Sequence, residues 1–224
     1  MAIKDNRLLV DAADSETGWT SIGSGSGAAS AALDLDIFYQ GSGSLSSNFR
    51  IDTRGWMYNI GAGTYAGNHF FFLLNCGVVG LLETKELGGI RARFGTSANA
   101  NYIEIFLAGS DNYPSTFAGG WALFVVDIDY AFANYTNSLL GTSSGTAPSG
   151  PNAVTFVGLT SLCATNPSSN KVNSFIDAIY RLEPNTAGIT VEGLNTGVDY
   201  KFADISSYGL NNNIPTFLDG PTGS

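Results

Sequence analysis

Two apolar runs constrain this chain more than anything else in it. The first, Phe70-Phe71-Phe72-Leu73-Leu74, continues through Cys76, Val78, Val79, Leu81 and Leu82; the second is Trp121-Ala122-Leu123-Phe124-Val125-Val126. Residues that are apolar at consecutive positions have no polar side to offer water. A strand built from them is therefore covered on both faces, or the run is a pair of strands, split at Asn75 or Gly77 in the first case. A helix is the competing reading of 68–83, but the aromatic run and the repeated glycines favour strand.

Composition agrees. Charged residues make up 13% of the chain, about half the usual share, and there are 28 glycines. Helices need Glu, Lys and Arg at high density, whereas turn-rich β proteins need Gly and Asn for positive φ. The 44% hydrophobic content supports a real core, and 224 residues can hold one large all-β domain or such a domain with an appendage. A net charge of −9 repels a phosphate backbone, so nucleic acid is not an expected partner. The start, Met1 to Arg7, carries no apolar signal-peptide core, and no run reaches the roughly 18 residues of a membrane helix. The expectation is a soluble chain made in a cytoplasm, with no membrane insertion.

Along the chain, strand-like segments recur every 10 to 20 residues with turn signals between them, the usual sign of a sandwich or barrel. Residues 33–39 begin with alternation, turn at Gly41-Ser42-Gly43, and lead into 44–51. Ile90, Ala92 and Phe94 alternate with Arg91 and Arg93, which predicts a half-buried strand with a solvent-facing basic pair. Trp121 to Asp129 reads as one buried strand, 130–152 as a long irregular region, and 153–162 and 174–182 as two further strands. The small residues of 23–32 read as a loop. The pattern changes after Glu183-Pro184-Asn185, so the division is 1–183 as the sandwich and 184–224 as a small β appendage or docking arm. That tail is too short to bury a core alone. Trp19, Trp56 and Trp121 are expected in the core, Trp121 on an inner face, where an aromatic buries about 150–250 Å².

Three segments taken together resemble a known architecture. Phe38-Tyr39-Gln40-Gly41-Ser42-Gly43-Ser44-Leu45, then Gly119-Gly120-Trp121 running to Asp127-Ile128-Asp129, then Phe175-Ile176-Asp177-Ala178-Ile179-Tyr180 is similar to the concanavalin-like or laminin-G-like jelly roll. Carbohydrate-binding modules and β-sandwich domains of bacteriophage virion proteins are built on it. The resemblance covers about residues 8–183. It implies an all-β jelly-roll sandwich and, by analogy alone, a phage structural protein of the decoration or fibre type.

The candidate chemistry is sparse. Asp127 and Asp129 would project from one strand face about 6.5–7 Å apart, as would Asp34 and Asp36. Glu104 stands alone on its strand, and a hydrolytic carboxylate pair usually comes from different strands. The single histidine, His69, precedes an aromatic run, and no Gly-x-Ser-x-Gly elbow, phosphate loop or EF-hand spacing is present. Cys76 and Cys163 have no Cys-x-x-Cys spacing and read as two buried free thiols, with one disulfide as the alternative. No enzyme is expected. No cofactor is expected either, except a structural calcium for which Asp127, Asp129 and Asp177 are the candidate ligands. Sugar stacking, the alternative role, would use Trp56, Tyr58, Tyr113, Tyr130 and Tyr135.

The expected function is therefore a non-enzymatic virion structural protein at the particle surface. Its partners would be other virion proteins and sister copies, with a trimer as the first expectation, docked through the tail from about 186 and the arm 1–10. The alternative is a lectin-like module that binds host surface glycans.

Overall fold

A computed structural model of the chain describes residues 7–23, 32–48, 50–114, 116, 120–165 and 173–182. The expected appendage, 184–224, lies outside the described residues, as does most of the loop 23–32. The strands are β1 (Arg7–Asp11), β2 (Trp19–Ile22), β3 (Ala32–Asp34), β4 (Ser44–Asn48), β5 (Arg54–Asn59), β6 (His69–Cys76), β7 (Ile90–Gly95), β8 (Tyr102–Ala108), β9 (Trp121–Asp127), β10 (Gly141–Ser144), β11 (Phe156–Ser161) and β12 (Asn173–Leu182), with one helix, α1 (Ile128–Asn134).

They form two antiparallel sheets. Sheet A runs β3-β4-β12-β6-β9, with β1 also paired to β12, and sheet B runs β10-β8-β7-β11-β5-β2. The architecture is the all-β jelly-roll sandwich that the sequence implies. Between the sheets lies one core, to which sheet A contributes Leu45, Phe70, Phe72, Phe124, Val126, Ile176 and Ile179, and sheet B contributes Trp56, Ala92, Phe94, Ile103, Ile105, Val157 and Leu159. The Trp56 indole N–H reaches across the sandwich to the Ser46 carbonyl at 2.9 Å, which satisfies its polar edge inside the core.

The structure decides between some of the expectations and corrects others. The apolar run 68–83 is one strand, β6, followed by a single 3-10 turn at Val79–Leu81. The second run is a strand only to Asp127, whose carboxylate accepts from the Asp129 and Tyr130 amides at 2.9 and 3.3 Å and so starts α1. The region 130–152 is accordingly not irregular throughout, because it holds the rest of α1 and then β10. Trp121 is buried, but on the outer face of sheet A, in a cluster separate from the inter-sheet core. Both cysteines are free and buried. Burial pushes the Cys76 and Cys163 thiols up to about 12 and about 11.

β12 is the centre of sheet A, and it changes partners midway. Residues 173–176 pair with β4 and residues 179–182 pair with β1, on the same side of the strand, with a bulge between. The turn 38–43 sits at that change. Gly41 has φ +72°, and a Cβ there would collide with the Asp14 carboxylate, so glycine meets both the conformation and the space.

Candidate functional site

The most concentrated chemistry lies on the outer face of sheet B. Glu104 on β8 is paired by register with Arg93 on β7. Its Oε1 accepts from Arg93 Nε at 2.9 Å and from Thr160 Oγ1 at 2.9 Å, and its Oε2 accepts from Arg91 Nη1 at 2.9 Å. Arg93 is 2% exposed and Glu104 1%. Burial pushes the Glu104 carboxyl up, but Arg93 and Arg91, with the hydrogen bonds from Arg93 and Thr160, outweigh it and hold the group below the ordinary carboxylate range. The remaining donors are also used. Arg93 Nη1 donates to the Ala98 carbonyl, Arg91 Nε donates to the Gly88 carbonyl, and the Arg93 guanidinium lies 3.7 Å from the Tyr102 ring centroid. The expected solvent-facing basic pair is therefore a buried ion network, and Glu104 does not stand alone. A carboxylate held ionised with both oxygens hydrogen-bonded is poorly placed to move protons.

The calcium candidates do not meet. Asp127 caps α1, and Asp129, in the first turn, accepts from the Gly67 amide at 2.7 Å. Register places Asp127 opposite His69, and His69 opposite Leu182, five residues beyond Asp177 on β12. That is roughly 16 Å along the strand. Strand length rather than chemistry separates the expected ligands. His69 Nε2 is 3.9 Å from Asp127 Oδ2, and burial lowers the imidazole pKa against the pull of Asp127 and Asp129.

Asp177 has a different companion. Its Oδ2 accepts from the Tyr39 and Gln40 amides at 2.5 and 2.9 Å, while Asp14 Oδ1 accepts from the Ser42 and Gly43 amides at 2.6 and 2.9 Å. Two carboxylates thus grip consecutive amides of one turn. Asp177 is fully buried, and its Oδ1 has no hydrogen-bond partner among the described residues. Burial raises its carboxyl to about 7, against the two amides that favour the charge, and Asp14 adds to the rise. Among the described residues no group of three His, Cys, Asp or Glu side chains converges on one point. The sequence signal for the pair Asp177 and Asp14 was the same Gly-Ser turn that carries the fold resemblance; Asp14 went unread.

The five aromatic candidates are not one platform. Trp56 is 4% exposed and cannot stack on a sugar. Tyr58 packs its ring 5.1 Å from Trp19. Tyr113 packs on Phe124, and burial pushes its phenol pKa up. Tyr130 and Tyr135 belong to α1 and its C-cap and are half-buried against the inter-sheet core. Tyr113 lies beside Cys76, whereas α1 follows the end of β9 that pairs with His69, so the two groups sit toward opposite ends of β6.

The exposed apolar residues do concentrate. Leu8 and Leu9 on β1 are 44% and 53% exposed, and Leu35, Ile37 and Phe38 follow β3 at 64%, 41% and 40%. Among the described residues β1 pairs only with β12 and β3 only with β4, so both leave an open edge on the same side of β12. The sequence reading passed over them because a short edge strand has too few residues to show a pattern.

No protein-family model and no curated protein matches the sequence. Solved structures similar to the chain include the family 11 carbohydrate-binding module from Clostridium thermocellum, in complex with a mixed-linked tetrasaccharide, at 12% identity and a TM-score of 0.44 over 79% of this chain and 95% of that one. A mannan-recognising module, TmCBM27, aligns at 13% identity and 0.39 over 79% and 98%. The conserved carbohydrate esterase of the Shiga toxin-encoding bacteriophage phi24B aligns at 11% identity and 0.40 over 79% and 99%.

Proposed function

We propose that this chain is a non-enzymatic β-sandwich module of a bacteriophage particle, a decoration or fibre component that works through protein–protein contacts along the open edge of sheet A. The observation that carries the contact role is the coincidence of two open strand edges with five exposed apolar side chains, Leu8, Leu9, Leu35, Ile37 and Phe38. An open edge offers unpaired amides and carbonyls, and isolated proteins normally blunt such edges with charge. Here Leu8, Leu9, Leu35, Ile37 and Phe38 are exposed along it between Asp11, Asp34 and Asp36, and apolar side chains held out in that way suit a permanent neighbour. The particle setting rests on the resemblance of the sequence to virion sandwiches. A sister copy paired edge to edge in a closed ring, a trimer first, is the simplest occupant.

The test is Leu9→Lys, compared with the parent protein by light scattering and by incorporation into particles. The reading expects an oligomer that falls to monomer, and lost incorporation, with the melting temperature unchanged. A variant that still assembles and incorporates normally refutes it. Glycan binding is the competing reading, favoured by the half-buried Tyr130 and Tyr135. Binding to a glycan array that Leu9→Lys leaves intact, and that a Tyr130→Ala change abolishes, would move it ahead.

A further inference from the structure

β12 loses its ladder for two residues where it changes partners. Pairing with β4 ends at Ile176, pairing with β1 begins at Ile179, and β6 matches both of those residues but neither Asp177 nor Ala178. What bridges the gap is a side chain. Asp177 Oδ2 accepts from the Tyr39 and Gln40 amides, and Asp14 Oδ1 accepts from the Ser42 and Gly43 amides. The Tyr180 hydroxyl donates to Gln40 Oε1, a further tie between β12 and the turn. Just before this turn stand Ile37 and Phe38, 41% and 40% exposed on the edge read above as the contact surface. Asp34 Oδ1 accepts from the Ile37 amide at 2.8 Å on their near side, and the turn fixes their far side.

Asp177 is a conditional anchor. A fully buried carboxylate normally faces a cation or has donors on both oxygens. Here Oδ1 has no hydrogen-bond partner, and among the described residues no Lys or Arg pairs with the group. The titratable side chains on the elements around it are Asp11, Asp14 and Glu16 at and after β1, Asp34 and Asp36 at β3, Tyr39 in the turn, His69 and Cys76 at the ends of β6, and Tyr180 and Arg181 on β12. The one guanidinium among them, Arg181, lies over the Tyr65 ring at 5.4 Å and is opposite Phe70 in register. Ionising Asp177 therefore sets a second negative charge beside Asp14 on one turn, with no cation paired to it. Opening the turn to water relieves that charge and breaks no rung of the sheet, because Asp177 and Ala178 form none.

We propose that Asp177 is a latch for the edge contact. Seated on the Tyr39 and Gln40 amides, it keeps the turn 38–43 in the gap of β12 and holds Ile37 and Phe38 in place; unseated, it lets the turn open and the contact is lost. The latch stands on the hydrogen bonds of the turn, and its consequence for assembly rests on the reading of this edge as a contact surface.

Amide exchange of the full chain, followed residue by residue by NMR, tests the latch. Corrected for intrinsic rates, protection at Tyr39 and Gln40 should lie well below that of amides in β7 and β8 and fall by up to about tenfold per pH unit up to about pH 7, then level off. Asp177→Ala should cut that protection by about tenfold or more, whereas Asp177→Asn, which keeps an oxygen for both amides and cannot ionise, should retain it and remove its pH dependence. Turn amides that exchange only together with β7 and β8, or a pH profile in the parent that is flat, overturn the latch; if neither variant folds, the parent profile still decides. Light scattering reads the edge separately. Self-association of the parent should be several-fold tighter about two pH units below pH 7 than above it, and Asp177→Asn should lose that difference. Association that ignores pH while the turn opens overturns the coupling to the edge. A chain that is monomeric throughout overturns the contact reading itself, and the exchange profile then judges the latch alone.

Discussion

The two sheets bury their outer faces by opposite chemistry. On sheet B the Glu104 carboxylate, Arg91, Arg93 and Thr160 satisfy one another, and nearby carbonyls at Gly88 and Ala98 take the spare donors. On sheet A the corresponding positions are Phe71, Leu73, Trp121, Leu123 and Val125, with no polar group to satisfy and a cover required. The polar face is complete within the described residues. The apolar face is buried with Tyr39, Tyr180 and Leu182 packed against it among the described residues. An ion network is thus self-limiting, whereas an apolar face asks for a further layer.

The largest effect expected from breaking this contrast is on sheet B. Glu104→Ala leaves two buried guanidinium groups without their partner and should cost about 3–5 kcal/mol in denaturant unfolding. A loss under about 1 kcal/mol would mean that water reaches the network. On sheet A, Leu73→Ala should cost about 2–5 kcal/mol if the face is covered, because a cavity is left behind. An open face would show well under half of that.

The two faces also give opposite pH behaviour. Glu104 has its pKa depressed from the ordinary 4.5, so its contribution is present above that value and is lost as pH falls through the lower folded value. Asp177 is raised from 3.8 to about 7, so its contribution is full below 3.8 and is lost as pH rises to about 7. Stability should therefore decline toward neutrality by at most about 1.4 kcal/mol per pH unit from this group. Asp177→Asn should flatten that decline and leave the acid limb intact, while Glu104→Gln should do the reverse. The smallest change is Thr160→Val, which deletes one of three side-chain donors to Glu104 and should cost about 1 kcal/mol.

The sequence made the strands legible more readily than their faces. Alternation located β7 and β12, and the turn chemistry of Gly41 located the entry to β4. Alternation alone does not say what lies beyond a face. Arg91 and Arg93 point outward as read, but Glu104, on the neighbouring strand β8, turns outward into buried. Trp121 begins a strand that is apolar on both sides, and period 2 cannot choose which side meets the other sheet. α1 was hidden for a different reason. Asp127 looked like the end of a strand, and its second role as an N-cap was readable only from the Asp-x-x-x-Ala-x-Ala spacing that follows. The site candidates fared worst, because ligand sets depend on which strand ends coincide. The pairing Asp127–His69–Leu182 places them at an end of sheet A that Asp177 does not share.

β12 lies between β4 and β6 and is the last of the described strands to be synthesised. Until it leaves the ribosome, sheet A exists only as the pairs β3-β4 and β6-β9 and the separate strand β1, each with an open edge of the kind that pairs with foreign strands. A chain that stalls before residue 173 would carry the whole of sheet B and half-made sheet A together. The order of synthesis, as much as the final contacts, therefore sets when this protein is at risk of aggregating, and any factor that slows translation ahead of residue 182 would lengthen that exposure.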